Sequence, residues 1–144
     1  MTAKTTKKPK SPKILLVDDE VAILNALGIY FKQQGYDVEA IAKFHNYLAQ
    51  LTGPQLPDII ILDILLNHEN GAKIAKELKS NPTTKDVPII MISAIPDGKR
   101  LSDEAGADAF LAKPFDLDDL NKAVERLTQN KPQAWFIGLA SLLY

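Results

Sequence analysis

From Lys13 to Gln129 the chain alternates between short apolar runs and longer amphipathic stretches. Ile14-Leu15-Leu16-Val17 is too short for a helix, apolar throughout and followed by acids, which predicts a strand buried on both faces. Val21, Leu24, Leu27, Gly28 and Phe31 recur at three- and four-residue steps, the pattern of a helix with one buried stripe that ends at Gly35. Tyr36 to Ile41 alternates as a more exposed second strand would, and Phe44, Leu48 and Leu51 mark a short helix stopped by Gly53-Pro54. Ile59 to Leu62 reads as a third buried strand, and Ile74, Ala75 and Leu78 as one face of a helix closed by Asn81-Pro82. Val87 to Ile92 is the fourth strand, Pro96 to Ala105 a short helix before Gly106, and Ala109 to Ala112 the fifth strand. A final helix is N-capped by Asp116, with Asp119 at the N3 position, and buries Leu117, Leu120, Val124 and Leu127.

Five strands alternating with helices, four of them nearly continuous in apolar residues, imply a doubly wound parallel sheet with helices on both faces, an α/β fold. In such a sheet, right-handed crossovers leave a ligand crevice just beyond the carboxyl ends of the strands.

Composition narrows the chemistry. The 144 residues fit one domain, and the absence of cysteine excludes a disulfide framework, a thiolate metal site and a cysteine nucleophile. Two histidines, His45 and His68, lie in separate segments and with Glu69 are read as solvated loop or helix residues. The formal charge of −1 hides a segregation: residues 1–13 hold five lysines and no acid, so the remainder carries −6. Residues 1–12 are read as a basic, disordered leader, residues 13–129 as the domain, and residues 130–144 as a linker and apolar tail. The leader lacks interleaved aromatics, which argues against a nucleic-acid partner, and resembles no signal peptide, so a cytoplasmic location is expected. The tail Ala134 to Leu143 is about half the length of a membrane crossing. Packing on the domain or on a second copy, giving a homodimer, is expected ahead of contact with a membrane surface.

The residues at the strand ends carry the chemistry. The first strand delivers Asp18-Asp19-Glu20, the third Asp63, the fourth Ser93-Ala94 and the fifth Lys113-Pro114. Acids gathered in one crevice repel unless a cation is present or one is protonated. A hard divalent ion such as Mg²⁺ takes one or two carboxylates, keeps waters and accepts phosphate oxygens. A hydroxyl and a lysine beside it suit the oxygens of a phosphoryl group, and a remaining aspartate can act as the nucleophile.

Leu16-Val17-Asp18-Asp19-Glu20, Ile61-Leu62-Asp63-Ile64-Leu65 with Gly71 eight residues after Asp63, Ile92-Ser93-Ala94, and Gly106 to Phe115 with Lys113-Pro114 resemble, in order, the receiver domain of two-component response regulators. The resemblance implies a flavodoxin-like sheet of strand order 2-1-3-4-5. It implies that Asp63 is the phosphoacceptor and that Asp18, Asp19, Asp63 and the main-chain carbonyl of Leu65 hold Mg²⁺. It further implies that Ser93, Ala94 and Lys113 receive the phosphoryl group, that Ser93 and Phe110 form a switch, and that the Lys113-Pro114 bond is cis. The implied partners are a sensor histidine kinase or histidine phosphotransfer protein and a downstream protein effector, in a protein that is not itself an enzyme toward other substrates.

Two departures matter. The family usually has proline four positions after the acceptor, whereas Asn67 stands here, so a freer loop is expected over Leu65 to Asn70. The stretch from Ser93 to Lys113 is also short for the family. The positions two after the acceptor and two after the hydroxyl are Leu65 and Ile95, neither of which can orient a water, so a persistent aspartyl phosphate is expected. An Asp-x-Asp phosphatase would need an acid where Leu65 stands. A flavin or dinucleotide binder would need a Gly-rich or hydroxyl-rich first loop, and no Gly-x-Gly-x-x-Gly occurs. An interaction module that keeps the receiver fold and signals without phosphorylation is the remaining alternative.

Overall fold

The computed structural model describes residues 11–45 and 47–129. Most of the basic leader and the whole apolar tail, with the dimer contact expected of it, lie outside the described residues. Five parallel strands, β1 (Lys13–Val17), β2 (Asp37–Ile41), β3 (Ile59–Asp63), β6 (Ile89–Ser93) and β7 (Ala109–Ala112), form one sheet in the order β2-β1-β3-β6-β7. Between β3 and β6 the chain makes a small antiparallel hairpin, β4 (Leu65–Leu66) and β5 (Glu69–Asn70). With the hairpin strands set aside, the sheet has the expected order 2-1-3-4-5.

Successive side chains of a strand face opposite ways, and each central strand therefore feeds two cores. Leu15, Val17, Ile60, Leu62, Ile89 and Met91 meet Ile74, Ala75 and Leu78 of α2 (Gly71–Ser80) and Ala105 of α3 (Gly98–Ala105). On the other face Ile14, Leu16, Ile59, Ile61, Ile90 and Ile92 meet Leu24, Leu27 and Phe31 of α1 (Val21–Gln33) and Leu120 and Val124 of α4 (Leu117–Gln129). Each of these side chains other than the alanines stabilises the fold by about 1.5–3 kcal/mol relative to leaving it exposed.

The structure corrects the pattern in four places. Val21 and Leu117, placed in buried stripes by periodicity, are 62% and 43% exposed. Each is the first residue of its helix. The fourth strand starts at Ile89 rather than Val87, since Pro88 has no N–H to offer a ladder; its carbonyl accepts from Ile60 N–H at 3.0 Å. Among the described residues no α-helix connects β2 to β3. Phe44 and Leu51 are buried, and the described residues of the stretch hold two 3₁₀ turns, Leu48–Gln50 and Gly53–Gln55. Few residues lie between Phe44 and the Gly53-Pro54 break, too few to offset the cost of nucleating a helix. A groove of about 1110 Å³, lined in part by Phe44, Leu48, Leu66, His68, Glu69 and Ile74, runs along this connection. Finally, Leu65 to Asn70 is the ordered hairpin, not a free loop.

At the amino ends of the strands, Lys79 Nζ donates to Asp108 Oδ2 at 2.7 Å and to the Val87 carbonyl at 3.0 Å. The same Asp108 oxygen accepts from Ile89 N–H at 2.8 Å, and Asp108 N–H donates to the Ile89 carbonyl at 2.9 Å. One ammonium thus ties α2 to the beginnings of β6 and β7. Among the described residues no helix is long and apolar enough to cross a membrane.

Candidate phosphoacceptor site

The parallel register brings the carboxyl ends of β1, β3, β6 and β7 to one edge. Val17 lies opposite Leu62, Asp63 opposite Ile92, and Ser93 opposite Ala112. Asp18 and Asp63 are 2% and 4% exposed. Each is pinned by a backbone donor two residues ahead: Asp18 Oδ1 accepts from Glu20 N–H and Asp63 Oδ1 from Leu65 N–H, both at 2.9 Å. Lys113, held by its own N–H donating to the Ser93 carbonyl at 2.8 Å, reaches across to both acids. Its Nζ is 2.6 Å from Asp63 Oδ2, 3.3 Å from Asp18 Oδ2 and 3.5 Å from Glu20 Oε1. The Lys113-Pro114 bond is cis.

Burial raises the Asp63 carboxyl above its ordinary value, with the Asp18 charge adding to the rise; the Lys113 ammonium and Leu65 N–H oppose it without cancelling it. Burial pulls the Lys113 ammonium down, but its bonds and charge attraction to Asp63 and Asp18 outweigh that and leave it raised. Burial makes charge on Asp63 costly, and a second cation beside it would reduce that cost.

The donors fit such a cation. Asp18, Asp19 and Asp63 against one Lys113 leave a net charge of −2, every available donor is a hard oxygen, and Mg²⁺ needs only one or two carboxylates beside its waters. Among the described residues no group of three or more His, Cys, Asp or Glu side chains already forms a cage for a metal. Lys113 stands between two of the acids instead, as mutual repulsion of carboxylates favours.

The other expected residues are placed as follows. Asp19 is half-buried, and its Oδ2 accepts from Asn67 N–H at 2.9 Å rather than from Lys113. Ser93 is buried at the end of β6, its Oγ accepting from Ile95 N–H at 3.1 Å. Ala94 is exposed and lines, with Ile23, Ala26, Leu27, Lys113, Pro114 and Phe115, a depression of about 440 Å³. Leu65 is 55% exposed and places only its backbone in the site. Phe110 is half-buried, and its ring flanks Gly98: a Cβ at Gly98 would lie 2.9 Å from Phe110 Cζ and 3.1 Å from Ser93 Cβ. Gly98→Ala is therefore expected to displace the ring and lower stability by about 1 kcal/mol, net of the helix propensity that alanine adds. Urea denaturation checks this; an unchanged midpoint would show that the ring is not confined by Gly98.

Glu20, one of the acids expected at the first strand's end, is a partner of Lys113. Other contributors were not expected from the sequence. Glu69, read as solvated, accepts Phe44 N–H on Oε1 at 2.8 Å and fixes the start of the β2 to β3 connection. Asn70 caps α2, its Oδ1 accepting from Ala72 N–H and Lys73 N–H at 2.9 and 3.2 Å. Of these only Asn70 carried a signal, an Asn directly before an amphipathic run.

A family model of the response regulator receiver domain matches residues 14–125. The chain belongs to that family. This receiver domain is 33% identical over 129 residues to the DNA-binding dual master transcriptional regulator RpaA of Synechocystis sp., a match covering 85% of this chain and 53% of that protein. The receiver domain spans between 27% and 59% of the length of the curated relatives it matches first. Among solved structures, the signal receiver domain of a signal transduction histidine kinase from Syntrophus aciditrophicus superposes with a TM-score of 0.77 at 27% identity, covering 85% of this chain and 96% of that one. The receiver domain of the sensor histidine kinase PA1611 from Pseudomonas aeruginosa PAO1, described with a magnesium ion coordinated in its active-site cleft, superposes with a TM-score of 0.75 at 24% identity, covering 84% of this chain and 100% of that one, and shows the shared fold.

Proposed function

We propose that this receiver domain is a phosphoacceptor of a two-component or phosphorelay pathway, taking a phosphoryl group from a phosphohistidine onto Asp63 and switching the binding of a downstream protein. The observation that carries the reading is Lys113 Nζ bridging Asp63 and Asp18 at the carboxyl edge of the sheet. In the reaction an Asp63 oxygen forms a bond to phosphorus as the phosphorus–nitrogen bond of the donor imidazole breaks, and the imidazole leaves with the bonding pair. Asp18, Asp19, Asp63 and the Leu65 carbonyl would hold Mg²⁺, which when bound offsets charge on the transferring oxygens. Lys113 moves its ion pair from the carboxylate to a phosphoryl oxygen, and the exposed Ala94 leaves room for the group. Ser93, whose Oγ accepts only one N–H, turns its hydroxyl proton to another phosphoryl oxygen, and Phe110 follows into the space so vacated.

The proposed donor is a sensor histidine kinase or histidine phosphotransfer protein, the location cytoplasmic, and the chemistry confined to the domain's own aspartate. Incubation with a small phosphodonor, with and without Mg²⁺, followed by mapping of the acyl phosphate, tests the reading: Mg²⁺-dependent label on Asp63 supports it, and absence of label or label elsewhere overturns it. Leu65 and Ile95 offer no polar group to a hydrolytic water, so Leu65→Asn is expected to shorten the lifetime of the label several-fold in a decay measurement; an equal or longer lifetime would contradict this.

A further inference from the structure

A connection between parallel strands has to return the chain to the other end of the sheet, and an α-helix is the usual means. α1 does this between β1 and β2, α2 between β3 and β6, and α3 between β6 and β7. Between β2 and β3 the described residues hold two 3₁₀ turns and no α-helix. Beside α2 this leaves the groove of about 1110 Å³, with Phe44, Leu48, Leu51, Leu66 and Ile74 in its lining. Small-molecule pockets hold about 300–1,000 Å³. This one is larger and follows α2 from its first cap, Asn70, to its last, Asn81, a shape suited to a length of chain.

The chain itself carries a fitting segment. Residues 132–144 have no charged side chain, and from Ala134 to Leu143 every residue but Gly138 and Ser141 is apolar. Such a segment gains about 25 cal/mol for each Å² of apolar area it removes from water. It also begins within reach. Gln129 ends α4, and Thr128 before it meets Tyr36, directly before β2. Asp37 N–H donates to the Pro12 carbonyl and Asp58 N–H to the Lys13 carbonyl, so the end of α4, the start of β2 and the end of the β2 to β3 connection share the amino edge of the sheet. The groove reaches that edge at Thr52 and Asn81. Passing from the layer of α4 to that of α2 crosses two spacings of about 10 Å each. The six steps from Gln129 to Trp135 extend to about 20 Å. Residues 135–144 then remain for a groove as long as α2, which itself has 10 residues.

We infer that residues 135–144 fold back into the groove between α2 and the β2 to β3 connection and give the cover that a crossover helix would give. A tether this short holds the segment at an effective concentration on the order of millimolar, which places it ahead of a separate partner. Leu66, His68 and Glu69 of the hairpin that follows Asp63 line the same groove, so the docked segment abuts the residues next to the candidate acceptor. The inference does not depend on phosphorylation of Asp63.

The full chain has one tryptophan, Trp135, and no cysteine, which supplies two probes. Ala49 is exposed on the groove wall, and Ala49→Arg puts bulk and charge where the segment would lie. Trp135 emission is expected to be blue-shifted in the wild type and to move to that of an indole in water in Ala49→Arg, with a several-fold rise in quenching by acrylamide. A spin label on Gln50→Cys, exposed beside the groove, is expected to broaden the amide resonances of residues 135–144, whereas a label on Asn25→Cys of α1, on the opposite face, leaves them sharp. These labels also decide the matter if Ala49→Arg does not fold. When labelled protein is mixed with unlabelled, isotope-enriched protein, the enriched resonances are expected to stay sharp. Equal Trp135 emission in Ala49→Arg and wild type, or sharp resonances of residues 135–144 beside the label at position 50, would overturn the inference. Broadening in the mixed sample would also overturn it, since the occupant would then be the segment of a second copy.

Discussion

Asp63→Asn is expected to reduce labelling by a phosphodonor to background while the domain still folds. The amide cannot form the acyl phosphate, yet it keeps an oxygen to accept from Leu65 N–H, so the local turn survives. Stability without metal should hold or rise, because burial disfavours the charge that the substitution removes, and the lost bond to Lys113 leaves that lysine with Asp18 and Glu20. The pH dependence follows from the direction of the shift. A carboxyl raised in the folded state binds its proton more tightly there than in the unfolded chain, so its contribution is fully present below the ordinary Asp value and is lost as pH rises through the raised one. The stability difference between Asp63→Asn and wild type should therefore widen across that window, which denaturant titrations at a series of pH values would measure. Label persisting in Asp63→Asn would remove Asp63 from the role of acceptor.

Gly71→Ala is expected to cost about 3 kcal/mol or more, the upper range of overpacking effects. A Cβ on Gly71 would lie 2.0 Å from the Asp63 carbonyl oxygen and 2.8 Å from both the Asp63 carbonyl carbon and Ile64 Cα. Those are backbone atoms, which no change of side-chain rotamer can move aside. Gly71 N–H also donates to the Ile64 carbonyl at 2.8 Å, so the start of α2 is clamped against the end of β3. Relief requires shifting the acceptor's own peptide, so phosphorylation should fall together with stability. Thermal and urea denaturation measure the first and phosphodonor labelling the second; a cooperative transition within about 1 kcal/mol of wild type would show that α2 can withdraw freely.

The fold, and the meeting of Asp18, Asp63, Ser93 and Lys113 at one edge, were legible in the sequence for one reason: the central strands are apolar up to their carboxyl ends, where one of these polar residues stands. Burial on both faces and a polar residue at the end are properties of side chains. What was not legible depends on backbone groups or on length. The Asn67 N–H belongs to any residue but proline, so nothing in its side chain points to Asp19. Phe44, Leu48 and Leu51 have helical spacing because all three face the same core, and periodicity reports that burial whether or not a helix forms. Val21 and Leu117 continue their stripes, but periodicity does not show that the first residue of each helix stays exposed. Glu69 looks like a surface acid, and its bond to Phe44 N–H exists only because the β2 to β3 connection is irregular enough to leave that donor unused.

The tie between Lys79, Asp108 and the beginnings of β6 and β7 makes the two ends of the sheet unlike in how their charges are bound. A single ammonium and a single carboxylate there meet three backbone groups, the Lys85 and Val87 carbonyls and the Ile89 N–H, and hold three elements together, far along the strands from the acids. At the opposite end the corresponding lysine is shared among three carboxylates and can change partners without loss of charge pairing. Under the proposed function, charge added at Asp63 is expected to move the tips of β6 and β7 about that base, so that small rearrangements around Ser93 and Lys113 would tilt the segments that follow them, α3 and α4, rather than loosen the sheet.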